Sequence, residues 1–219
     1  MFRLTDRLER SLVGNKAYNL SLLSGCGKIV DGFVICADEP LAQESLASVV
    51  MPSNTYCVRS SSNMEDGQTQ SHAGQFMTLT NVAARDLYEA ITRVRAYNPV
   101  NGQRIPVLVQ RNIDTAFAGV AFTRHPVSRW DVDVLEYVRG SGEQLVSGKV
   151  TPTTLVRKHG VVSYIAGEKS LPAEQIHAVC DLARRCENYF GCPQDIEWGI
   201  ERETHELYLF QSRAITTIR

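Results

Sequence analysis

Two short runs in the last quarter of the chain combine oxygen donors with a guanidinium: Gln194-Asp195-Ile196-Glu197-Trp198 and Leu207-Tyr208-Leu209-Phe210-Gln211-Ser212-Arg213. Both alternate apolar and polar residues, which predicts strands with one buried face. On a strand, Asp195 and Glu197 project from one side, and so do Gln211 and Arg213. The polar stretch Glu201 to Glu206 between them predicts a turn. Antiparallel pairing would then gather two carboxylates, an amide and a guanidinium on one face. Carboxylate and amide oxygens suit Mg²⁺, and a fixed guanidinium suits a phosphate. The chemistry such a set can do is that of a metal–triphosphate site.

Other segments offer phosphate ligands. Gly14-Asn15-Lys16 precedes a helical pattern. A glycine there lets backbone N–H groups approach a phosphate, and a lysine adds a mobile positive charge. The run lacks the Walker spacing, so a solvated helix lysine is the competing reading. Val58-Arg59-Ser60-Ser61-Ser62 sets an arginine at a strand end before three hydroxyls, a set of phosphate ligands needing no metal. A polar surface loop is its plain alternative. Beyond it, Ala73-Gly74-Gln75 permits close backbone approach, with Thr78 just after. The apolar strands Val107-Leu108-Val109-Gln110 and Ala118 to Thr123 are either sheet core or a wall against which an adenine packs.

The elements that must position these groups follow from periodicity. A helix is predicted from Gly14, stopping at Gly25 and Gly27. A strand over 32–36, a helix over 39–50 and a strand at 56–58 lead into the polar loop 59–75. A strand over 76–82 and an amphipathic helix over 83–97 follow. Asn98-Pro99-Val100-Asn101-Gly102 is a dense turn cluster. Strands are predicted at 105–113, 117–123 and 132–138. The Gly-rich loop Arg139 to Glu143, two shorter strands near Leu155 and Val162, and a long helix over 172–190 precede the closing hairpin. The fold class is therefore α/β (α+β), divided at the turn cluster into a mixed lobe over 1–104 and a more β-rich lobe over 105–219.

Composition narrows the function. The 219 residues carry a net charge of −1, so nucleic acid and anionic membranes have no broad electrostatic case as partners. No stretch approaches the roughly 18 apolar residues that span a bilayer, and the first residues lack a signal-peptide core, so a cytosolic (cytoplasmic) protein is expected. The six cysteines form no CxxC pair and are expected to be reduced thiols.

Together, VGNKAYNL, GFVI, VRSSSNMEDG, SHAGQFMTLTNV, VLVQRNI, AGVAFTRHP, GEQLVSGKVTP, FGCPQDIEWGI and LYLFQSRAIT resemble the nucleotide-binding domain of phosphoenolpyruvate synthase, pyruvate phosphate dikinase and rifampicin phosphotransferase. The segments run in the family's order from about residue 13 to 217. The resemblance implies an ATP-grasp fold with ATP between two lobes. It implies that Lys16 and Arg59 hold the triphosphate, that Gly74 and Thr78 line the phosphate loop, and that Gln110 lies near the adenine. It also implies that Glu197 and Gln211 bind Mg²⁺ with Asp195 beside them, and that Arg213 contacts the transferred phosphates. Glu143 is expected at the ribose or a metal.

The departures are specific. His125 stands where the family usually has an acidic residue, and His72 where an aromatic is usual. Both are expected to be structural, the alternative for His125 being an acceptor-site base. Ser141 replaces a usual leucine and Ala214 a common proline. The family's swivelling domain with its phosphorylatable histidine finds no match, so a minimal stand-alone module is expected. Its partner would be a separate phosphohistidine carrier protein or a small-molecule acceptor. Dikinase-type transfer that yields AMP and phosphate is the leading function. An ADP-forming kinase or ATP-grasp ligase, and a non-catalytic nucleotide-binding module, are the alternatives.

Overall fold

The computed structural model describes residues 1–62, 77–97, 102–142 and 150–215. The chain forms two compact units, Met1–Leu22 with Val30–Asn112 and Leu23–Ile29 with Ile113–Arg219. The division thus falls at 112/113 rather than at the expected 104/105. The turn cluster near residue 101 joins a helix to a strand of the same sheet. That strand, Val107–Arg111, pairs on both sides within the first unit.

The first unit is built on an antiparallel sheet of β1 (Phe2–Arg3), β2 (Gly32–Ile35), β3 (Thr55–Ser60), β4 (Thr78–Ala83) and β5 (Val107–Arg111), in the order β1-β2-β5-β3-β4. The unbroken apolar run Val107-Leu108-Val109 suits the central position of β5, where both faces are covered. On one face Phe33, Ile35, Tyr56, Val58, Val107 and Val109 pack against Leu46 of α2 (Gln43–Ala47) and against Leu87, Ala90, Ile91 and Val94 of α3 (Leu87–Ala96). The 87, 90/91, 94 spacing is one helical stripe, and each such buried side chain is worth roughly 1.5–3 kcal/mol. The helix expected over 39–50 is shorter because Leu41, Val49 and Val50 reach this core from the flanking chain. Helix α1 (Arg10–Leu22) contacts β2 and β5 and buries Val13, Ala17 and Leu20.

The second unit is an antiparallel sheet of β6 (Thr115–Phe122), β7 (Asp133–Arg139), β8 (Thr153–Lys158), β9 (Val161–Ala166), β10 (Gln194–Glu201) and β11 (Leu207–Ala214), in the order β11-β10-β6-β7-β8-β9. Helix α4 (Ala173–Phe190) contacts β6, β10 and β11 and buries Ile176, Val179, Cys180, Leu182, Ala183 and Cys186. It ends at Gly191, whose left-handed backbone (φ 68°) turns its N–H onto the Glu187 carbonyl. A charge network ties α4 to the strands. The buried Asp133 carboxylate accepts from Arg157 Nε (2.7 Å) and Arg184 Nε (2.6 Å), and Arg184 also reaches Glu187 and Asp131. Burial alone would lower the Arg184 pKa, but these carboxylates outweigh it and hold the guanidinium above its ordinary value.

The outer edge of β11 is met at Leu209 by the end of the segment Leu23–Ile29. Leu209 N–H donates to the Lys28 carbonyl (2.8 Å), and Ile29 makes a parallel bridge to Leu209. The Lys28 ammonium pairs with the Glu206 carboxylate and stands 4.9 Å from the centre of the Tyr208 ring.

Candidate functional site

In the second unit the site residues lie on the β10–β11 hairpin. Asp195 is directly opposite Arg213, and Glu197 directly opposite Gln211, so all four share one face of the ribbon. Ile196 and Trp198, on the other side of β10, are fully buried. A register shift after Glu197 leaves Trp198 opposite Leu209, with Phe210 as the extra residue of a β-bulge. The bulge restores two things at once. Leu209 joins the Trp198 side, while Gln211 stays on the Glu197 side.

Arg213 Nε and Nη2 both donate to Asp195 Oδ2, at 2.8 and 2.6 Å. The Asp195 side chain is 8% exposed and that of Arg213 37%. The pair neutralises Asp195, and the half-buried Glu197 stands beside the buried Gln211, its cross-strand neighbour. One end of the hairpin is fixed by the buried Gln194. Its N–H donates to Thr123 Oγ1 (2.9 Å), its carbonyl accepts from Thr123 N–H (2.9 Å), and its Oε1 accepts from Ser212 Oγ (2.8 Å). This joins β6, β10 and β11 at the residue before Asp195.

In the first unit, Arg59 lies on β3 between Leu108 of β5 and Thr78 of β4, nearly buried at 9% exposure. Thr78 itself is exposed. Lys16 is half-buried on α1, two residues after a break at Gly14. Gln110 is buried on β5, with Nε2 donating to the Val30 carbonyl (3.1 Å) and its side chain against Gly32. Gly74, His72 and Glu143 lie outside the described residues.

Two readings are corrected, and a third is given its physical reason. The space that a side chain at Gly14 would take is filled by the Ser61 backbone rather than left open to a phosphate. A Cβ at Gly14 would sit 1.3 Å from the Ser61 carbonyl oxygen. Nor are the three serine hydroxyls an exposed phosphate cradle. Ser60, Ser61 and Ser62 are buried, and the Ser61 hydroxyl serves α1. His125 is a loop-forming residue, its Nδ1 accepting N–H bonds from Val127 (3.2 Å) and Ser128 (3.1 Å). A carboxylate makes the same i+2 and i+3 bonds, which explains how imidazole can replace the acidic residue expected there. Nothing in the sequence marked the Gln194 hub or the Ser61 contacts. Their partners, Thr123 and Val13, are distant in sequence.

The two antiparallel sheets with their covering helices constitute an ATP-grasp fold. D-alanine–D-alanine ligase from Helicobacter pylori matches 89% of this chain and 52% of its own, with a TM-score of 0.53 at 11% identity. The Bacillus anthracis ligase complexed with ATP matches 90% of this chain and 52% of its own, with a TM-score of 0.51 at 10% identity. Within that fold the chain belongs to the pyruvate phosphate dikinase AMP/ATP-binding domain family, whose signature matches residues 40–165 and 153–219. A probable phosphoenolpyruvate synthase of Archaeoglobus fulgidus is 34% identical over 74% of this chain and 27% of its own length. A rifampicin phosphotransferase of a Streptomyces species is 30% identical over 98% of this chain and 30% of its own. The chain therefore spans about three-tenths or less of these relatives. No helix among the described residues is long and apolar enough to cross a membrane.

Proposed function

We propose that this chain binds ATP with Mg²⁺ and performs dikinase-type phosphoryl transfer. In that reaction ATP and water give AMP, one released phosphate, and one phosphoryl group on a histidine of a separate carrier or on another acceptor. Family membership supports nucleotide binding. The observation that carries the metal reading is the cross-strand pair Glu197–Gln211 beside the closed pair Asp195–Arg213.

The donor set fits Mg²⁺. Among the described residues no three or more His, Cys, Asp or Glu side chains cluster as a metal cage. Mg²⁺ is commonly held by one or two carboxylates, with water and nucleotide phosphates completing the octahedron. Glu197 and Gln211 would hold it, and Asp195 would act through Arg213. Held there, Mg²⁺ would supply charge neutralisation for the phosphates. The remaining work is electrostatic and falls to this chain. Arg213, held by Asp195, keeps a fixed guanidinium for a transferring phosphoryl group. Lys16 and Arg59 supply cations for the triphosphate, with Thr78 opposite Arg59. Gln110, buried and held by the Val30 carbonyl, shapes the adenine contact from behind. Gly74 and Glu143 are proposed at the phosphate loop and the ribose or metal.

The test is phosphorus NMR of the protein with Mg-ATP, wild type against Glu197→Ala. AMP and phosphate formed by the wild type alone support the reading. ADP would make the protein a kinase or ligase, and turnover retained in Glu197→Ala would sink the metal assignment. With no turnover, adding a candidate carrier domain decides between a carrier-dependent enzyme and a nucleotide-binding module.

A further inference from the structure

We infer that Ser61 is the positioning residue for Lys16, fastening the turn that carries the lysine to the strand end that carries Arg59. The inference rests on the reading of Lys16 as a phosphate ligand. Lys16 sits on the first turn of the helix that resumes after Gly14, whose backbone (φ 74°, ψ 172°) breaks α1. Gly14 has no side chain with which to cap that turn. Ser61 supplies the cap from 44 residues away: its Oγ accepts the Ala17 N–H at 3.0 Å, as the side chain of a local N-cap residue would. The same hydroxyl donates its proton to the Val13 carbonyl at 2.6 Å. One buried oxygen thus holds both ends of the segment Gly14-Asn15-Lys16.

Ser61 is itself anchored. Its N–H donates to the Pro106 carbonyl (2.9 Å), and the preceding Ser60 N–H donates to the Met77 carbonyl (3.1 Å). Arg59, two residues upstream, is paired on both sides within the sheet. Few rotatable bonds therefore separate the backbone of Arg59 from that of Lys16. The lock needs a hydroxyl that donates and accepts at once, which alanine cannot supply. It also needs glycine at position 14, because any Cβ there would overlap the Ser61 carbonyl.

The experiment is calorimetric titration of ATP, and separately of adenosine, into wild type, Lys16→Ala, Ser61→Ala and the double variant. A positioned phosphate cation contributes about tenfold or more to ATP affinity. Ser61→Ala is expected to lose a similar factor for ATP and nothing for adenosine, which has no phosphate for Lys16 to meet. The double variant is expected to bind ATP no more weakly than Lys16→Ala alone. Losses that multiply, or equal losses for ATP and adenosine, would overturn the inference. So would wild-type ATP affinity in Ser61→Ala when Lys16→Ala is weakened. If Lys16→Ala itself binds ATP normally, the phosphate-ligand reading has failed, and the inference falls with it by a separate route. Should Ser61→Ala not fold, Ser61→Cys, similar in shape and weaker in hydrogen bonding, takes its place under the same criteria.

Discussion

The hairpin of the second unit and the Lys16–Arg59 region of the first solve the same problem by opposite means. On the hairpin, adjacent strands put the side chains directly opposite one another, and the functional groups restrain each other, as Arg213 and Asp195 do. In the first unit the two cations stand on different elements, and the restraint is a buried hydroxyl that contacts backbone only. The first arrangement is robust to small backbone shifts because the groups themselves bond. The second depends on a close backbone approach at one glycine.

The sharpest break of this contrast is Glu197→Ala. Removing a metal ligand should lower Mg²⁺-dependent turnover by at least about 10²-fold, by analogy with loss of other electrostatic stabilisers of the transition state. The thermal midpoint should stay near wild type, since the residue is only half-buried; steady-state rates and a melting curve check both. Next is Gly14→Ala, which combines a backbone region almost restricted to glycine with an overlap on Ser61 and should cost more than about 3 kcal/mol by denaturant titration. Gly102→Ala is its control, with φ near 70° but no atom within 4 Å, and should cost only about 1 kcal/mol. Equal losses at both glycines would show that the Ser61 approach is unimportant.

Asp195→Asn should cost about 1–2 kcal/mol of stability, less than a fully buried pair because Arg213 reaches solvent. A double-mutant cycle with Arg213→Gln should show coupling of about 1 kcal/mol between them.

Much of the hairpin was legible because strand periodicity fixes which residues share a face, and Asp195 to Trp198 alternates. The bulge at Phe210 was not legible, yet it leaves the Asp195, Glu197, Gln211 and Arg213 faces aligned. Strands β2 to β11, α3 and α4 lie near their predicted spans for the same reason, whereas the short β1 was not foreseen. The unit boundary was misplaced because a turn-rich stretch marks a loop without saying which sheet receives the next strand. The serine run was misread because three hydroxyls beside an arginine look alike whether buried or exposed. Burial is set by Pro106 and α1, which no local pattern connects to Ser61. His125 was read as structural, and the structure gives the reason in two backbone N–H bonds.

A further expected effect separates the two units by pH. Burial pushes the Cys180 and Cys186 thiols of α4 up to about 12 from 9.0. A thiol whose folded pKa is raised adds stability that is complete below its unfolded value and lost as pH rises toward the folded one. The second unit should therefore weaken between pH 9 and about 12. Near pH 8 both thiols should resist alkylation until the unit unfolds, which mass spectrometry after timed labelling would detect.

The segment Leu23–Ile29 has a temporal consequence. It leaves the ribosome early, yet its strand partner, Leu209 on β11, is among the last described residues to be made, and the Lys28–Glu206 contact closes a loop of 178 positions. The first unit has all its own strands once residue 112 has emerged, but this strip must wait unpaired for almost another hundred residues. Its ordering is then a late, long-range closure, the kind of step that slows folding. A chain severed near residue 112 would yield a C-terminal fragment with the outer edge of β11 bare, and a capacity to recruit a foreign strand in its place.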